Sequence, residues 1–109
     1  MGTGIKKDTG KPALDLVDAH CLEDVGRVLA FGATKYSTHN WQRGMALGKV
    51  LAAVLRHSYA ILRGEYLDSE TGMQHTAHAI CGLMFVHYYI RTGQTDTPDD
   101  RWATREGGA

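Results

Sequence analysis

Three stretches of this chain repeat apolar residues at three- and four-residue spacing, and glycine-rich polar segments separate them. From about Val17 to Lys35 the repeat is Cys21, Leu22, Val25, Val28, Leu29 and Gly32. From about Ala46 to Arg63 it is Leu47, Val50, Leu51, Val54, Leu55, Tyr59 and Leu62. From about Met73 to Arg91 it is Ala77, Ile80, Cys81, Met84, Phe85 and Tyr88. Each set traces one face of a helix, and no alternation of strand type reaches useful length. Asp18 suits an N-cap, while Gly64 and Gly93 suit helix stops. The spacing therefore predicts an all-α fold, a small helical bundle with three main helices.

At 109 residues the chain has room for one domain. Residues 1–93 read as a single helical domain and 94–109 as a flexible or docking tail, with Trp102 able to dock on a neighbour. Three helices make a thin core, so a homo-oligomer is expected to complete it. Twelve basic and twelve acidic residues cancel, which argues against binding a nucleic-acid polymer. His87 breaks the longest apolar stretch, which is too short and too mixed for a membrane span. The polar N-terminus has no apolar core of a signal peptide, and Cys21 and Cys81 form no CxxC pair. A reduced, cytoplasmic setting is the expectation, the host cytoplasm if a phage encodes the chain.

Three groups of residues carry possible chemistry. The first is His57, Glu65, Asp68, Glu70, His75 and His78. His75 and His78 are three apart and share a helix face, and a helical hairpin would bring His57 to them. Imidazoles with a carboxylate suit a first-row divalent metal, whereas carboxylates alone suit Mg2+ or Mn2+. The same residues also suit helix caps and histidines that hydrogen-bond one another. The second group is the loop Lys35, Tyr36, His39, Asn40, Trp41 and Arg43. Its rings offer faces for a base, its amide a base edge, and its cations a phosphate contact. Packing of Trp41 at the end of the core is the plainer use. The third is Asp8, Gly10 and Lys11, a Gly–Lys pair without P-loop spacing. Arg56 is either a phosphate ligand or a partner of Asp24 or Glu65.

Several blocks, in order, resemble the dATP/dGTP diphosphohydrolase N-terminal type of phages and bacteria, distantly allied to MazG-like all-α nucleotide pyrophosphohydrolases. They are D-x-G-K-P-x-L-D-L (Asp8 to Leu16), R-V-L-A-F-G-A-x-K-Y (Arg27 to Tyr36), N-W-x-x-G (Asn40 to Gly44), L-R-H (Leu55 to His57) and G-E-x-x-D-x-E-T-G-x-x-H-x-x-H-A (Gly64 to Ala79). The resemblance implies a MazG-like fold, assembly as a dimer or tetramer, and a purine nucleotide site near the helix ends. It also implies Mg2+ or Mn2+ on carboxylates and attack of water on the α-phosphate to release pyrophosphate. On that reading Glu65, Asp68 and Glu23 hold metal, and Glu65, Asp68, His75 and His78 are the catalytic set. Lys11, Lys35, Arg43 and Arg56 grip phosphate, and Asn40, Trp41 and His57 complete the nucleotide contacts.

The chain departs from the MazG-like pattern in two places. Gly26 stands three residues after Glu23, so no ExxE forms, and His75-x-x-His78 stands where ExxD is expected. The expected function is a metal-dependent nucleoside triphosphate pyrophosphohydrolase acting on purine deoxynucleotides. The alternative is a non-catalytic phage protein that sequesters a nucleotide, such as a cyclic dinucleotide or an ADP-ribose-type immune signal.

Overall fold

The structure is a computed structural model and describes residues 4, 5, 7, 9–95 and 100–102. Asp8, named among the sequence features, and most of the 94–109 tail lie outside the described residues. Helix α1 spans Ala19–Lys35, α2 Leu47–Leu62 and α3 His75–Arg91. No strand occurs among the described residues, and the fold is a small all-α bundle. No helix there is long and apolar enough to cross a membrane.

Asp18 caps α1 as its position suggested, its side chain accepting the N–H of His20 at 3.2 Å. The polar loop after α1 is more ordered than expected, because Asn40–Arg43 close a 3-10 turn that ends on Gly44 at φ 95°. Helix α2 begins one residue later than the pattern suggested. Its N-cap is Ala46, which has no side chain to offer, and the N–H of Gly48 is met instead by the carboxylate of Asp100. Trp102 of the tail is 96% exposed.

Helix α3 begins two residues later than Met73, because Met73 and Gln74 are used by the connector. The N–H of Asp68 donates to the Met73 carbonyl at 2.8 Å, and that of His75 to the Tyr66 carbonyl at 2.9 Å. Leu67 and Gln74 form an antiparallel bridge between those bonds. Gly72, at φ 73°, lets the chain double back inside this closed connector.

Helices α2 and α3 run antiparallel and pack most closely, while α1 lies mainly against α3. Val54 stands opposite Gly82, and His57 opposite His75. The core is Leu47, Val50, Val86 and Tyr89, with Trp41, Phe85 and Tyr88 packed on it. Leu47 and Tyr89 are fully buried, and the Tyr89 hydroxyl donates to the Trp41 carbonyl. That bond ties the Trp-bearing turn to the end of the helical hairpin. Large apolar side chains such as Leu55, Leu62, Leu83 and Ile90 stay exposed, so the single chain encloses only a thin core.

Candidate functional site

The hairpin gathers the three histidines at one place. The Nδ1 atoms of His57 and His75 face each other at 2.8 Å. His78, one turn beyond His75, lays its ring on His57 with 4.7 Å between centroids and 7° between planes. The connector supplies the oxygens. Glu65 Oε2 lies 2.8 Å from His75 Nε2. Asp68 Oδ1 accepts the N–H groups of Glu70 and Thr71 at 2.8 and 3.0 Å, while its Oδ2 faces His57 Nδ1 at 3.9 Å. The Thr71 hydroxyl bonds His78 Nε2 at 2.8 Å and accepts the N–H of Met73. One acidic turn thus fixes imidazoles on two helices.

These contacts set the local charge. Burial first, then the neighbouring imidazoles of His78 and His75, hold His57 below the ordinary histidine value. Burial lowers His78 as well, against the pull of Asp68. Burial pushes Asp68 up, but the N–H groups of Thr71 and Glu70 outweigh it. With help from His78 and His57, they leave the carboxyl below its usual range. His57 and His78 are therefore neutral near pH 7, beside an ionised Asp68.

Two adjoining cavities border the cluster. The smaller, about 280 Å³, is lined by His57, His78, Val54, Gly82 and Lys49 among others. The larger, about 510 Å³, is lined by Phe31, Lys35, Tyr36, Asn40, Trp41 and His78 among others. Both share Val28, Met45, Cys81, Phe85 and His78, so His78 stands where the histidine cluster meets the aromatic cleft. Trp41 stacks on Phe85 at 4.8 Å and meets Tyr88 edge-on at 4.9 Å, so it serves the core and the cleft wall together. Lys35 lies over the Phe31 ring at 4.8 Å.

The structure brings together His57, Glu65, Asp68, His75 and His78, and it sets Lys35, Asn40 and Trp41 on the adjoining cleft wall. It does not bring in the rest. Lys11, Arg43 and Arg56 are exposed and line neither cavity. Glu23 turns to His20 at 3.6 Å, and the next residue, Asp24, reaches Arg27 and Gln74 instead. Arg56 pairs with neither of the acids suggested for it, since Asp24 is taken by Arg27 and Glu65 by His75. Thr71 was missed as a site residue, whereas Tyr36 of the loop group does line the larger cavity. The Thr within Glu70-Thr71-Gly72 reads as a turn residue, and only the folded connector turns its hydroxyl to His78.

The family described as dATP/dGTP diphosphohydrolase, N-terminal, matches residues 1–99. The chain belongs to this family. A dATP/dGTP diphosphohydrolase of Salmonella phage PMBT28 is 42% identical over 106 residues, which is 97% of this chain and 36% of that protein. The chain thus spans about a third of the length of that relative. No solved structure matches it. In this member of the dATP/dGTP diphosphohydrolase N-terminal family, the block Gly64–Ala79 supplies Glu65, Asp68, Thr71, His75 and His78.

The MazG-like resemblance implies Mg2+ or Mn2+ on gathered carboxylates, and the residues gathered here do not offer such an all-carboxylate set. Mg2+ takes oxygen ligands. Among the described residues the group placed to hold a metal is His57, Asp68 and His75, in which Asp68 is the lone carboxylate.

Proposed function

We propose that this chain binds a purine deoxynucleoside triphosphate in the cleft between α1 and α3 and turns its phosphates toward the histidine cluster, as the nucleotide-handling part of a diphosphohydrolase. The observation that carries this reading is the cavity of about 510 Å³ that Trp41, Asn40 and His78 line together. Its size lies in the range of small-molecule sites. The Tyr36 and Trp41 rings offer π-faces to a base, and the Asn40 amide offers a donor and an acceptor to its edge. Lys35 and Lys49 line the joined cavities and supply cationic contacts. A triphosphate carries more negative charge than two lysines neutralise, and a bound divalent ion meets the remainder.

Hydrolysis of the diphosphohydrolase type forms a bond from water oxygen to the α-phosphorus and breaks the bond to the bridging oxygen, releasing nucleoside monophosphate and pyrophosphate. Neutral His78, beside both cavities, accepts the proton that the water gives up. The name of the phage relative supports this reaction class.

A second reading has one observation in its favour. With Asp68 as the lone carboxylate in the group placed to hold a metal, the chain on its own suits holding a nucleotide intact, as a sequestering protein for a cyclic dinucleotide or an ADP-ribose-type signal would.

The test is to incubate the protein with dATP or dGTP and a divalent ion and to separate the products by anion exchange. Monophosphate with pyrophosphate, lost in Asp68→Asn, supports the enzyme. Bound ligand recovered intact after heating supports sequestration. If neither nucleotide class is turned over or raises the melting temperature, both readings fail. A ligand at a hundredfold excess over its Kd adds about 2.7 kcal/mol of stability.

A further inference from the structure

We infer that His57, His75 and Asp68 form a binding site for an imidazole-seeking first-row divalent metal ion of the Zn2+, Fe2+ or Co2+ class, with Glu65 as the positioning carboxylate behind His75. The site does not depend on which nucleotide the cleft accepts.

The tautomers carry the first part of the argument. Glu65 Oε2 can only accept a hydrogen bond when ionised, so His75 Nε2, at 2.8 Å, carries the proton. A neutral His75 then has a bare lone pair on Nδ1, and this lone pair points at His57 Nδ1, 2.8 Å away. A carboxylate that fixes one ring nitrogen and aims the other inward is the usual support behind a metal-binding histidine. The side chain of His75 is 6% exposed and that of Glu65 is 53%, so the orienting carboxylate sits at the rim and the ligand sits inside.

The oxygen is prepared in the same way. Both backbone N–H bonds to Asp68 fall on Oδ1, which anchors the carboxylate and leaves Oδ2 facing His57. One ligand atom from each of His57, Asp68 and His75 lies within 4.8 Å of the others. A tetrahedral ion with bonds of about 2.0–2.1 Å sets its ligand atoms about 3.4 Å apart. The observed separations of 2.8 Å and 3.9 Å lie on either side of that value, so side-chain shifts of about half an ångström would seat the ion. His78, stacked on His57 and held by Thr71, keeps the His57 ring plane in place. The cavity of about 280 Å³ that His57 and His78 line leaves room for further ligands such as water. Two imidazoles with one carboxylate favour Zn2+, Fe2+ or Co2+ over Mg2+.

The rival arrangement is a plain hydrogen bond from His57 Nδ1–H to His75 Nδ1, with no affinity for metal. Titrating EDTA-treated full-length protein with Co2+, without nucleotide, distinguishes the two. The expected result is visible d–d absorption that saturates at one ion per chain, is displaced by Zn2+ and is not displaced by equimolar Mg2+. Asp68→Asn and Glu65→Gln keep the shapes of their side chains and should weaken Co2+ binding about 10–100-fold, with unchanged far-UV circular dichroism. His75→Ala should abolish it. Absence of d–d absorption at millimolar Co2+ overturns the inference. So does a Co2+ site whose affinity survives both Asp68→Asn and Glu65→Gln, since the ion would then sit elsewhere. Nucleotide binding that persists without a metal signal would overturn this site and leave the cleft reading standing.

Discussion

Replacing Gly82 with alanine tests how the hairpin positions the histidines. A Cβ on Gly82 would stand 2.7 Å from Val54 Cγ2 and 3.7 Å from Val50 Cγ1. Carbon atoms do not approach to 2.7 Å, and Val54 cannot swing away. It is buried, and a β-branched side chain in a helix has one strongly preferred rotamer. The helices must therefore part by a fraction of an ångström, an overpacking that costs about 1–3 kcal/mol. Alanine in a helix interior returns about 1 kcal/mol relative to glycine. The net expectation is a loss of about 1 kcal/mol, equal to a fall of roughly 4–8 °C in Tm for a domain of this size. Gly82 is one turn from His78, and Val54 is one turn from His57, so the same parting loosens the His57–His78 stack. Urea unfolding followed by circular dichroism measures the loss. Val54→Ala in the same chain should relieve the clash, giving a coupling of about 1 kcal/mol in a double-mutant cycle. A Gly82→Ala protein as stable as the parent, with additive effects in the cycle, would refute close helix approach as the reason for glycine.

Three further outcomes are expected. Unfolded histidines take up protons near 6.5, while His57 and His78 do so lower in the folded state. Their contribution is complete above pH 6.5, and Tm should fall as the pH drops from there toward their folded values. A second fall, from Asp68, should follow below its ordinary 3.8, and a flat Tm between pH 6.5 and about 5 would contradict the histidine assignment. Tyr89→Phe removes the hydroxyl that serves the Trp41 carbonyl and should cost about 1–3 kcal/mol in urea unfolding, unless another donor reaches that oxygen. Burial pushes the Cys81 thiol up to about 11, so a thiol reagent at about pH 8 should label Cys21 in the native protein and Cys81 only after denaturation.

The helices were legible because their signals are local. The three-and-four repeat gives α1, α2 and α3, and Asp18 marks its own cap. The meeting of His57 with His75 and His78 was legible too, since an antiparallel hairpin of α2 and α3 brings those faces together. The carboxylates were harder to assign. Glu23 and Asp24 are neighbours in sequence but about 100° apart around a helix. That one step decides which of them faces α3, and here Asp24 does. Glu65 and Asp68 sit in a connector whose path depends on bonds such as His75 N–H to Tyr66 carbonyl, and no periodicity announces these. Trp41 was ambiguous for a physical reason, because one ring both stacks on Phe85 and borders the cleft.

The Leu67–Gln74 bridge is a clasp whose two flanks hold different members of the cluster. Glu65 and Asp68 lie on or beside one flank, and His75 follows the other. Opening the clasp would unseat acid and imidazole in a single event, so the centre exists whole or not at all. Selection can then retune the cleft wall residue by residue, while the clasp has to be inherited as a block.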